Sequence, residues 1–529
     1  MSGIAGIIRF DGAPVDSSLV EKMTAAMPYR GPDGINHWVK GSVALGQCMM
    51  CTTPESLEET QPHSNEDESL VLVMDGWLSN WMELRTELLA KCAVLRSRAD
   101  AELVLRAYQI WGSDCLRHID GDFAFVIWDE RQREVFCARD RMGNKPLYYH
   151  WNGRELVFAS ELAPILAHPS VPEAPNEGLI AEFLAGQWFT RGETLWIDVF
   201  RLIGAHNMRA TVAGLKIELY WAPNLDDEPL YKRDEEYFEH YEELFADCVR
   251  RASRSQNPVA FEVSGGLDSS AVFCVAEELF RCGRLTASSI EGYTLDFTGD
   301  RHADEIGYAR SVANHLGRKI REVAPFRPSN EWFRDRARTS RNFPGFPNGI
   351  MLIDMYCQMT ANGHRVVVSG EGGDEWLAGT RLYYAQHLRR WELKQLYSCL
   401  KHDIAANGRR QAMRWLARFG IFAALPRGSR DVLREVKRNI SLAAGNRERR
   451  CNSDSMYWLS PTMRRHVAER RELLRLRTNS MRCSVVHSHQ LSLLYSPYSD
   501  HGSDHAEYIS STSLIERRMP MNDHRFVQF

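Results

Sequence analysis

Short apolar stretches broken by Gly, Asp and Asn dominate roughly the first 200 residues of the chain, a pattern typical of strands joined by turns. We predict strands at Leu70–Asp75, Asp122–Trp128, Glu134–Ala138 and Leu156–Ala159. The charged segment 224–236 then interrupts the pattern. We therefore predict a sheet-rich domain over residues 1–208, a linker over 209–235 and a second domain over 236–529.

Strands and helices alternate in the second domain. We predict strands at Val259–Val263, Tyr293–Phe297 and Arg365–Ser369, and helices at Ala271–Phe280 and Asp304–Leu316. The second of these helices ends at Gly317, a plausible C-cap. Repeated strand–helix units indicate a mostly parallel sheet covered by helices, with ligands at the carboxyl ends of the strands.

Composition limits the class of protein. A length of 529 residues predicts two or three domains, and a net charge of −4 argues against wholesale nucleic-acid binding. No apolar stretch approaches the length of a membrane span, and no signal peptide begins the chain. Most of the twelve cysteines lie in apolar stretches, where reduced thiols pack, so we expect a cytoplasmic protein. Cys48 and Cys51 have C-x-x-C spacing, but no second pair completes a zinc site.

The strongest local signal is FEVSGGLDSS at residues 261–270. Its two glycines allow a close approach of backbone N–H groups to a ligand, and its serines add hydroxyls beside a helix N-terminus. These features predict a phosphate-binding loop, and the missing lysine distinguishes it from a Walker P-loop. Asp268 would repel a phosphate group unless Mg²⁺ lay between them.

This run resembles the S-G-G-x-D-S loop of ATP pyrophosphatases, which split ATP into AMP and pyrophosphate while adenylating a substrate. The run SGEGGDE at residues 369–375 also follows a predicted strand, and it resembles a loop of asparagine synthetases. The resemblance implies that Asp268 and Asp374 hold Mg²⁺ and that the catalytic Glu371 lies nearest the reacting amine and acyl-adenylate. The residues that it implies for ATP and pyrophosphate binding are Val263, Ser264, Gly265, Gly266, Asp268, Ser269, Ser270, Leu295, Ser369 and Gly370.

The first domain resembles the glutaminase half of class B asparagine synthetases, through YRGPDG at residues 29–34 and DRMGNKPLYY at residues 140–149. The implied fold is an α+β N-terminal nucleophile αββα sandwich. It is followed by an α/β domain of the adenine-nucleotide alpha-hydrolase-like, PP-loop ATP pyrophosphatase type. In that family a cysteine after the initiator methionine attacks glutamine, and this chain has Ser2 at that position.

Other glutamine-site positions depart from the family pattern. The segment ALGQCMMC at residues 44–51 lacks the arginine that would clamp the substrate α-carboxylate. Trp77 stands in the place of a glutamate and would fill the pocket, and Asp75 replaces an asparagine that donates to the oxyanion. Asp100 is retained. We therefore predict that the first domain does not hydrolyse glutamine and serves as a structural partner.

The run from Ser513 to Phe529 resembles the family segment x-V-E-x-R-x-P-F-x-D-x-x-L-V-E-F, so the resemblance runs through the whole chain. The family continues with a helical tail that carries a lysine, whereas the sequence given stops at Phe529. Three alternatives stay open here: a longer natural chain, another basic residue in the lysine's place, or impaired activity.

Members of the family without a working glutaminase include β-lactam and carbapenam synthetases and lasso-peptide cyclases. The first two use a tyrosine paired with glutamate near the amine, and no tyrosine of this chain can be assigned that role from sequence. The chain resembles the lasso-peptide cyclases best. We hypothesise that ATP adenylates an Asp or Glu side chain of a short precursor peptide, and that the peptide's own N-terminal amine closes a macrolactam. The implied partners are that peptide, a leader peptidase and a leader-binding protein, without nucleic acid.

Competing hypotheses are an ammonia-dependent asparagine synthetase, a β-lactam-synthetase-like enzyme and a non-catalytic scaffold.

The arginine-rich segment 380–450 is also open to two interpretations. Amphipathic helices with solvated basic faces are the simpler one, and a docking surface for peptide or protease is the other.

Overall fold

The computed structural model describes residues 2–225, 231–300, 302–343, 345, 349–377, 379–425, 429, 456–479 and 484–529. The chain forms two compact units. One comprises Met1–Asn176, Arg191–Asp374 and Asp500–Phe529, and the other comprises Glu177–Thr190 and Glu375–Ser499.

The elements, in chain order, are as follows. The strands are β1 Gly3–Arg9, β2 Gly34–Lys40, β3 Val43–Met49, β4 His63–Ser64, β5 Leu70–Leu78, β6 Gly121–Asp129, β7 Glu134–Arg139, β8 Tyr148–Trp151, β9 Glu155–Ala159, β10 Val199–Arg201, β11 His206–Thr211, β12 Gly214–Leu219, β13 Val259–Glu262, β14 Ile290–Leu295, β15 Ile320–Val323, β16 Val366–Val368 and β17 Glu516–Arg518. The α-helices are α1 Ser17–Ala25, α2 Trp81–Ala90, α3 Asp100–Trp111, α4 Leu162–Leu166, α5 Glu177–Ala185, α6 Asp234–Ala252, α7 Leu267–Arg281, α8 Ile306–Leu316, α9 Asn330–Ser340, α10 Ile353–Ala361, α11 Gly373–Trp376, α12 Tyr383–Arg389, α13 Leu393–Asn407, α14 Arg409–Trp415, α15 Phe422–Ala424, α16 Pro461–Asn479, α17 Val485–Leu494, α18 Pro497–Thr512 and α19 His524–Gln528.

The N-terminal part is a sandwich of two six-stranded antiparallel sheets, ordered β10-β8-β9-β1-β3-β2 and β12-β11-β7-β6-β5-β4. Alternation along β1 shows how the layers form, since successive side chains of a strand point to opposite faces. Ile4 and Ile8 pack between the two sheets, whereas Ile7 packs on the outer face under α1 and α4. Helices α2 and α3 cover the outer face of the second sheet. The predicted αββα sandwich is confirmed.

The predicted linker begins too early. Residues 209–219 belong to β11 and β12, and β11 pairs with β7 through Met208 and Ala210, which are both buried. Apolar and polar residues alternate here over too few positions for the strand pattern to stand out from the sequence. Of the remaining predicted linker, residues 226–230 lie outside the described part of the chain.

The second half of the first unit is built on a five-stranded parallel sheet in the order β15-β14-β13-β16-β17. One face packs against α6 and α7, with Phe245, Val272 and Phe261 in its core. The other face packs against α10, with Met355 and Tyr356 in its core. Gly317 ends α8 in the left-handed conformation, with φ at +63°, as the sequence predicted. The predicted parallel α/β sheet is confirmed.

The second unit is helical in its described residues. Helices α5 and α16 share a small core, and Arg470 bonds to Glu182 at 3.0 Å. The described residues of the predicted arginine-rich segment, 380–425, include α12 to α15, with the guanidinium of Arg381 3.7 Å from the ring centroid of Trp415. Arg447–Arg450, also part of that prediction, lies outside the described residues. Among the helices described, none is long and apolar enough to cross a lipid bilayer.

Candidate active site

A crevice for ligands is expected where strand order reverses in a parallel sheet. Strand β13 lies between β14 and β16, so the loops that follow β13 and β16 leave the carboxyl edge of the sheet side by side. These are the two loops that the sequence marks, residues 263–270 and 369–374. The fold therefore brings the two sequence motifs to one place.

The loop after β13 is held by hydrogen bonds among its own serines. The backbone N–H of Ser264 donates to Oγ of Ser269 at 3.1 Å, and the two hydroxyls lie 2.9 Å apart. Gly265 has φ at +89°, and an added Cβ there would lie 2.6 Å from Cβ of Tyr308. Only glycine suits this position. Helix α7 begins at Leu267 within the segment, so Ser269 and Ser270 lie in its first turn, where unpaired backbone N–H groups favour an anion.

One hydroxyl of this loop lacks a partner. Oγ of Ser270 is buried and accepts or donates no hydrogen bond among the described residues. A buried polar atom without a partner is costly unless a ligand supplies one. A phosphate oxygen at the N-terminus of α7 would do so, which fits the predicted pyrophosphate site.

The two predicted metal ligands lie at the contact between the loops. A Cβ added at Gly373 would sit 2.1 Å from Cγ of Asp268, and one added at Gly370 would sit 2.4 Å from the backbone N of Ser269. Burial raises the pKa of Asp268, and the charge of nearby Asp374 raises it further. Two carboxylates that repel each other beside a phosphate loop are suited to Mg²⁺, which takes one or two carboxylates together with substrate phosphates.

The remaining predicted nucleotide residues line the same edge of the sheet. The backbone N–H of Val263 donates to the carbonyl of Tyr293 at 2.8 Å, and Leu295 ends the neighbouring strand β14. The backbone N–H of Ser369 donates to the carbonyl of Arg518 at 3.0 Å, which anchors the second loop to β17. These contacts place the predicted residues at strand ends around one crevice.

Glu371, the predicted catalytic residue, projects from the second loop with 47% of its side chain exposed. Its carboxylate accepts a short hydrogen bond from Nη1 of Arg517, whose own side chain is only 5% exposed. On the strand leading into the phosphate loop, Glu262 accepts a hydrogen bond of 2.7 Å from the hydroxyl of Tyr356. Glu262 and Arg517 lie inside the runs 261–270 and 513–529, but at positions that the motifs leave unspecified, and Tyr356 lies outside both runs. None of the three residues could therefore be predicted from a motif.

The former nucleophile position lies at the start of β1. Ser2 is 8% exposed, and its Oγ accepts a hydrogen bond from the backbone N–H of Met50 at 3.0 Å. Arg30 donates to the carbonyl of Ser2 at 2.9 Å and forms ion pairs with Glu161 and Asp75. Burial raises the pKa of Asp75. A carboxyl group donates to an oxyanion only while it is protonated, and its ionised form would repel the oxyanion, unlike the amide of the family's asparagine.

Trp77, which the sequence predicts to fill the glutamine pocket, is a buried residue of β5. The indole is 5% exposed, its Nε1 donates to Asp122 at 3.1 Å, and the guanidinium of Arg518 lies 4.3 Å from its ring centroid. Asp100, the retained glutamine-site residue, forms an ion pair with Arg254 at 3.1 Å. Trp77 and Asp100 therefore both contact arginines of the parallel-sheet half of the first unit.

Two protein-family models match the chain. A family model described as a glutamine amidotransferase domain matches residues 1–221, and one described as asparagine synthase matches residues 240–529. The second match alone covers more than half of the chain. The chain belongs to the asparagine synthase family. Its fold is therefore an N-terminal nucleophile amidotransferase domain followed by a PP-loop synthase domain, as predicted.

Two relatives show the extent of the likeness within the asparagine synthase family. Glutamine-hydrolyzing asparagine synthetase 3 of Bacillus subtilis strain 168 is 31% identical over 391 residues, covering 72% of this chain and 63% of that protein. Amidase chyE of Penicillium rubens is 27% identical over 412 residues, covering 74% of this chain and 59% of that protein. The chain thus spans less than two-thirds of either relative's length.

Among solved structures, glutamine phosphoribosylpyrophosphate amidotransferase from B. subtilis, complexed with ADP and GMP, matches at 14% identity. The match covers 60% of this chain and 90% of that chain, with a TM-score of 0.33.

Asparagine synthetase homologues are ATP-dependent carbon–nitrogen ligases, so family membership places the chain in an ATP-using, amide-forming class.

Proposed function

We propose that this chain adenylates a substrate carboxylate with ATP and joins it to an amine carried by the substrate, releasing AMP and pyrophosphate. One observation carries the proposal. The phosphate loop, the carboxylate pair and Glu371 converge at one sheet edge, while the glutamine site holds Ser2, Asp75 and Trp77 in place of the family's catalytic groups.

The chain's own residues suit the adenylation step. Backbone N–H groups at the start of α7 and the hydroxyl of Ser270 would hold the β- and γ-phosphates, which leave as pyrophosphate. Asp268 and Asp374 would hold Mg²⁺, which neutralises phosphate charge and orients the leaving group. Glu371, exposed at the mouth of the crevice, is placed to orient or deprotonate the attacking amine.

The amine is proposed to come from the substrate because the first domain offers no arrangement for releasing ammonia. Met49 occupies the position of the carboxylate clamp, and Arg254 neutralises Asp100. Losing the nucleophile, the clamp and the oxyanion donor together would cost many orders of magnitude in glutamine hydrolysis. A single molecule that carries both amine and carboxylate also gains from proximity.

The specific form we propose is macrolactam closure of a short precursor peptide, as in lasso-peptide cyclases. An Asp or Glu side chain of the peptide would be adenylated, and the peptide's N-terminal amine would attack it. A leader peptidase that frees this amine and a leader-binding protein that delivers the peptide are the partners proposed with it. The exposed helices of the arginine-rich segment remain a proposed docking surface for such a peptide.

The first test measures exchange of labelled pyrophosphate into ATP, with Mg²⁺ and the leader-free peptide encoded by a neighbouring precursor gene. We expect exchange above background and a peptide product lighter by one water. AMP release with an unchanged peptide mass would contradict cyclisation. No exchange with any acceptor would favour the non-catalytic scaffold.

An ammonia-dependent asparagine synthetase is the second candidate, favoured by the 31% identity to the B. subtilis enzyme. It would use the same adenylation crevice with aspartate as acceptor. Parallel reactions with L-aspartate plus ammonium chloride, and with L-aspartate plus L-glutamine, separate the cases. Asparagine formed from ammonium but not from glutamine would replace the peptide proposal and leave the adenylation proposal standing.

We expect Ser2→Ala to leave amide formation within about twofold of the unchanged protein, because the hydroxyl bonds to the backbone of Met50 and contacts Sδ of Met49 at 4.0 Å, all within the first domain. Ser2→Cys is expected to release no glutamate from glutamine, since Trp77 and Asp75 remain. Amide yield and glutamate release are measured on the same preparations. A large loss in Ser2→Ala would show that Ser2 takes part in the reaction.

A further inference from the structure

Three side chains on one face of the parallel sheet converge beneath Glu371. Glu262 shares a face of β13 with Ala260, whose side chain packs in the core under α10 together with Tyr356. Arg517 lies between Glu516 and Arg518 on β17, and these two neighbours bond to each other on the opposite face. Arg517 therefore points to the face that Tyr356 covers, where it meets Glu371.

Electrostatics ties Arg517 to Glu371 more than to any other carboxylate of this cluster. Burial would lower the pKa of Arg517, but the neighbouring charges together raise it, and the carboxylate of Glu371 contributes most among them. Burial raises the pKa of Glu262, which weakens this residue as a counter-ion. Glu507 also acts on Arg517, but it is hydrogen-bonded to Lys145 at 3.2 Å.

We propose that Arg517 is a positioning residue, which fixes the carboxylate of Glu371 over the crevice for the amide-forming step. Tyr356 and Glu262, joined by a hydrogen bond, lie near Arg517 and add to the electrostatic stabilisation of its charge. This inference rests on the proposed function. Glu371 sits on a loop and is half exposed, so without a partner its carboxylate would sample many rotamers. A buried arginine on a strand removes that freedom, because it offers a planar donor group on a rigid element.

If Arg517 positions Glu371, its loss should affect the two half-reactions, adenylation and amide formation, to different extents. Adenylation depends on the phosphate loop and the carboxylate pair. Among the described residues, the hydrogen bond of the Arg517 side chain goes to Glu371 and not to either of these groups. Amide formation depends on the placement of Glu371, and a misplacement of about 1 Å can cost about 100-fold in rate. Loss of Arg517 should therefore slow amide formation while leaving pyrophosphate exchange nearly intact.

The test compares Arg517→Met, Arg517→Lys and Tyr356→Phe with the unchanged full chain. The matched control is Arg321→Met, because Arg321 lies on the far edge strand of the same sheet and pairs with Glu291 at 2.6 Å. The activity readouts are pyrophosphate exchange and product yield with the leader-free peptide. An independent readout is labelling of Glu371 by carbodiimide and glycine ethyl ester, followed by peptide mass spectrometry.

For Arg517→Met we expect exchange within about threefold, amide formation lower by about 30- to 100-fold, and labelling of Glu371 raised several-fold. Arg517→Lys should recover part of both effects, and Tyr356→Phe should fall between the control and Arg517→Met. Equal losses in exchange and amide formation, or unchanged labelling of Glu371, would overturn the inference. If the unchanged protein shows no exchange at all, the proposed function fails, and the labelling result alone still decides whether Arg517 holds Glu371.

Discussion

Replacing Asp268 with asparagine is expected to lower pyrophosphate exchange by about 10²- to 10³-fold. The carboxylate lies against Gly373 at the contact of the two loops, where a second carboxylate raises its pKa. Asparagine keeps the shape and removes the charge that would hold Mg²⁺ beside the phosphates. Losing such electrostatic stabilisation costs about 3–4 kcal/mol of activation free energy, which corresponds to that range of rates.

The measurement is exchange of labelled pyrophosphate at saturating ATP, repeated over a range of Mg²⁺ concentrations. Asp335→Asn is the matched control, since that side chain is 75% exposed on α9 and should change the rate less than twofold. Addition of EDTA should stop exchange in the unchanged protein, and excess Mg²⁺ should restore it. An Asp268→Asn protein with exchange within threefold of the unchanged protein would remove Asp268 from the proposed site.

The largest expected effect on stability belongs to Asp504→Asn. Asp504 is 2% exposed in its side chain and ion-paired with both Arg139 and Arg201, with the Arg139 contact at 2.7 Å. It also accepts a hydrogen bond of 2.6 Å from the hydroxyl of Tyr148. Asparagine would remove the carboxylate that pairs with two buried guanidinium groups. Removing one partner of a buried ion pair typically costs about 3–5 kcal/mol in free energy of unfolding.

The pH dependence of this contribution follows from the pKa of Asp504. Burial alone would raise that pKa, but Arg201 and Arg139 outweigh burial and lower it to about 2 from an ordinary value of 3.8. An acid whose pKa is lowered in the folded protein stabilises it fully above its ordinary pKa. The stability gap between unchanged protein and Asp504→Asn should therefore be constant near neutral pH. It should narrow as the pH falls through about 4 toward 2.

Urea unfolding followed by tryptophan fluorescence at several pH values measures this gap. Asp114→Asn is the control, because its side chain is 69% exposed and should cost no more than about 1 kcal/mol. Replacing Arg139, Arg201 and Asp504 together by Met, Met and Leu should recover much of the loss, since no charge is then left unpaired. A loss below 1 kcal/mol in Asp504→Asn would contradict the role assigned to the buried cluster.

Much of the candidate site could be predicted from the sequence because its parts are local. The segments 263–270 and 369–374 each follow a short apolar run, and the carboxyl ends of parallel strands share one edge of a sheet. That rule alone brings Asp268 and Asp374 together.

Other parts could not be predicted from sequence because they depend on long-range neighbours. Residues 209–219 became strands rather than linker since β7, some 70 residues earlier, offers an unpaired edge. Asp504 meets Arg139 across 365 positions of sequence. No local pattern encodes either pairing.

The sequence by itself determined the asparagine synthase family and its two folds. It also predicted the phosphate loop, the carboxylate pair and the loss of the glutamine machinery, because each depends on residue type at a fixed spacing along one segment. Only the tertiary structure decided which groups surround Glu371. Strand order sets Arg517 on β17 beside the loop after β16, and helix packing brings Tyr356 to Glu262. A side chain's partner across a sheet depends on strand order and facing, which are properties of the folded chain and not of any single segment.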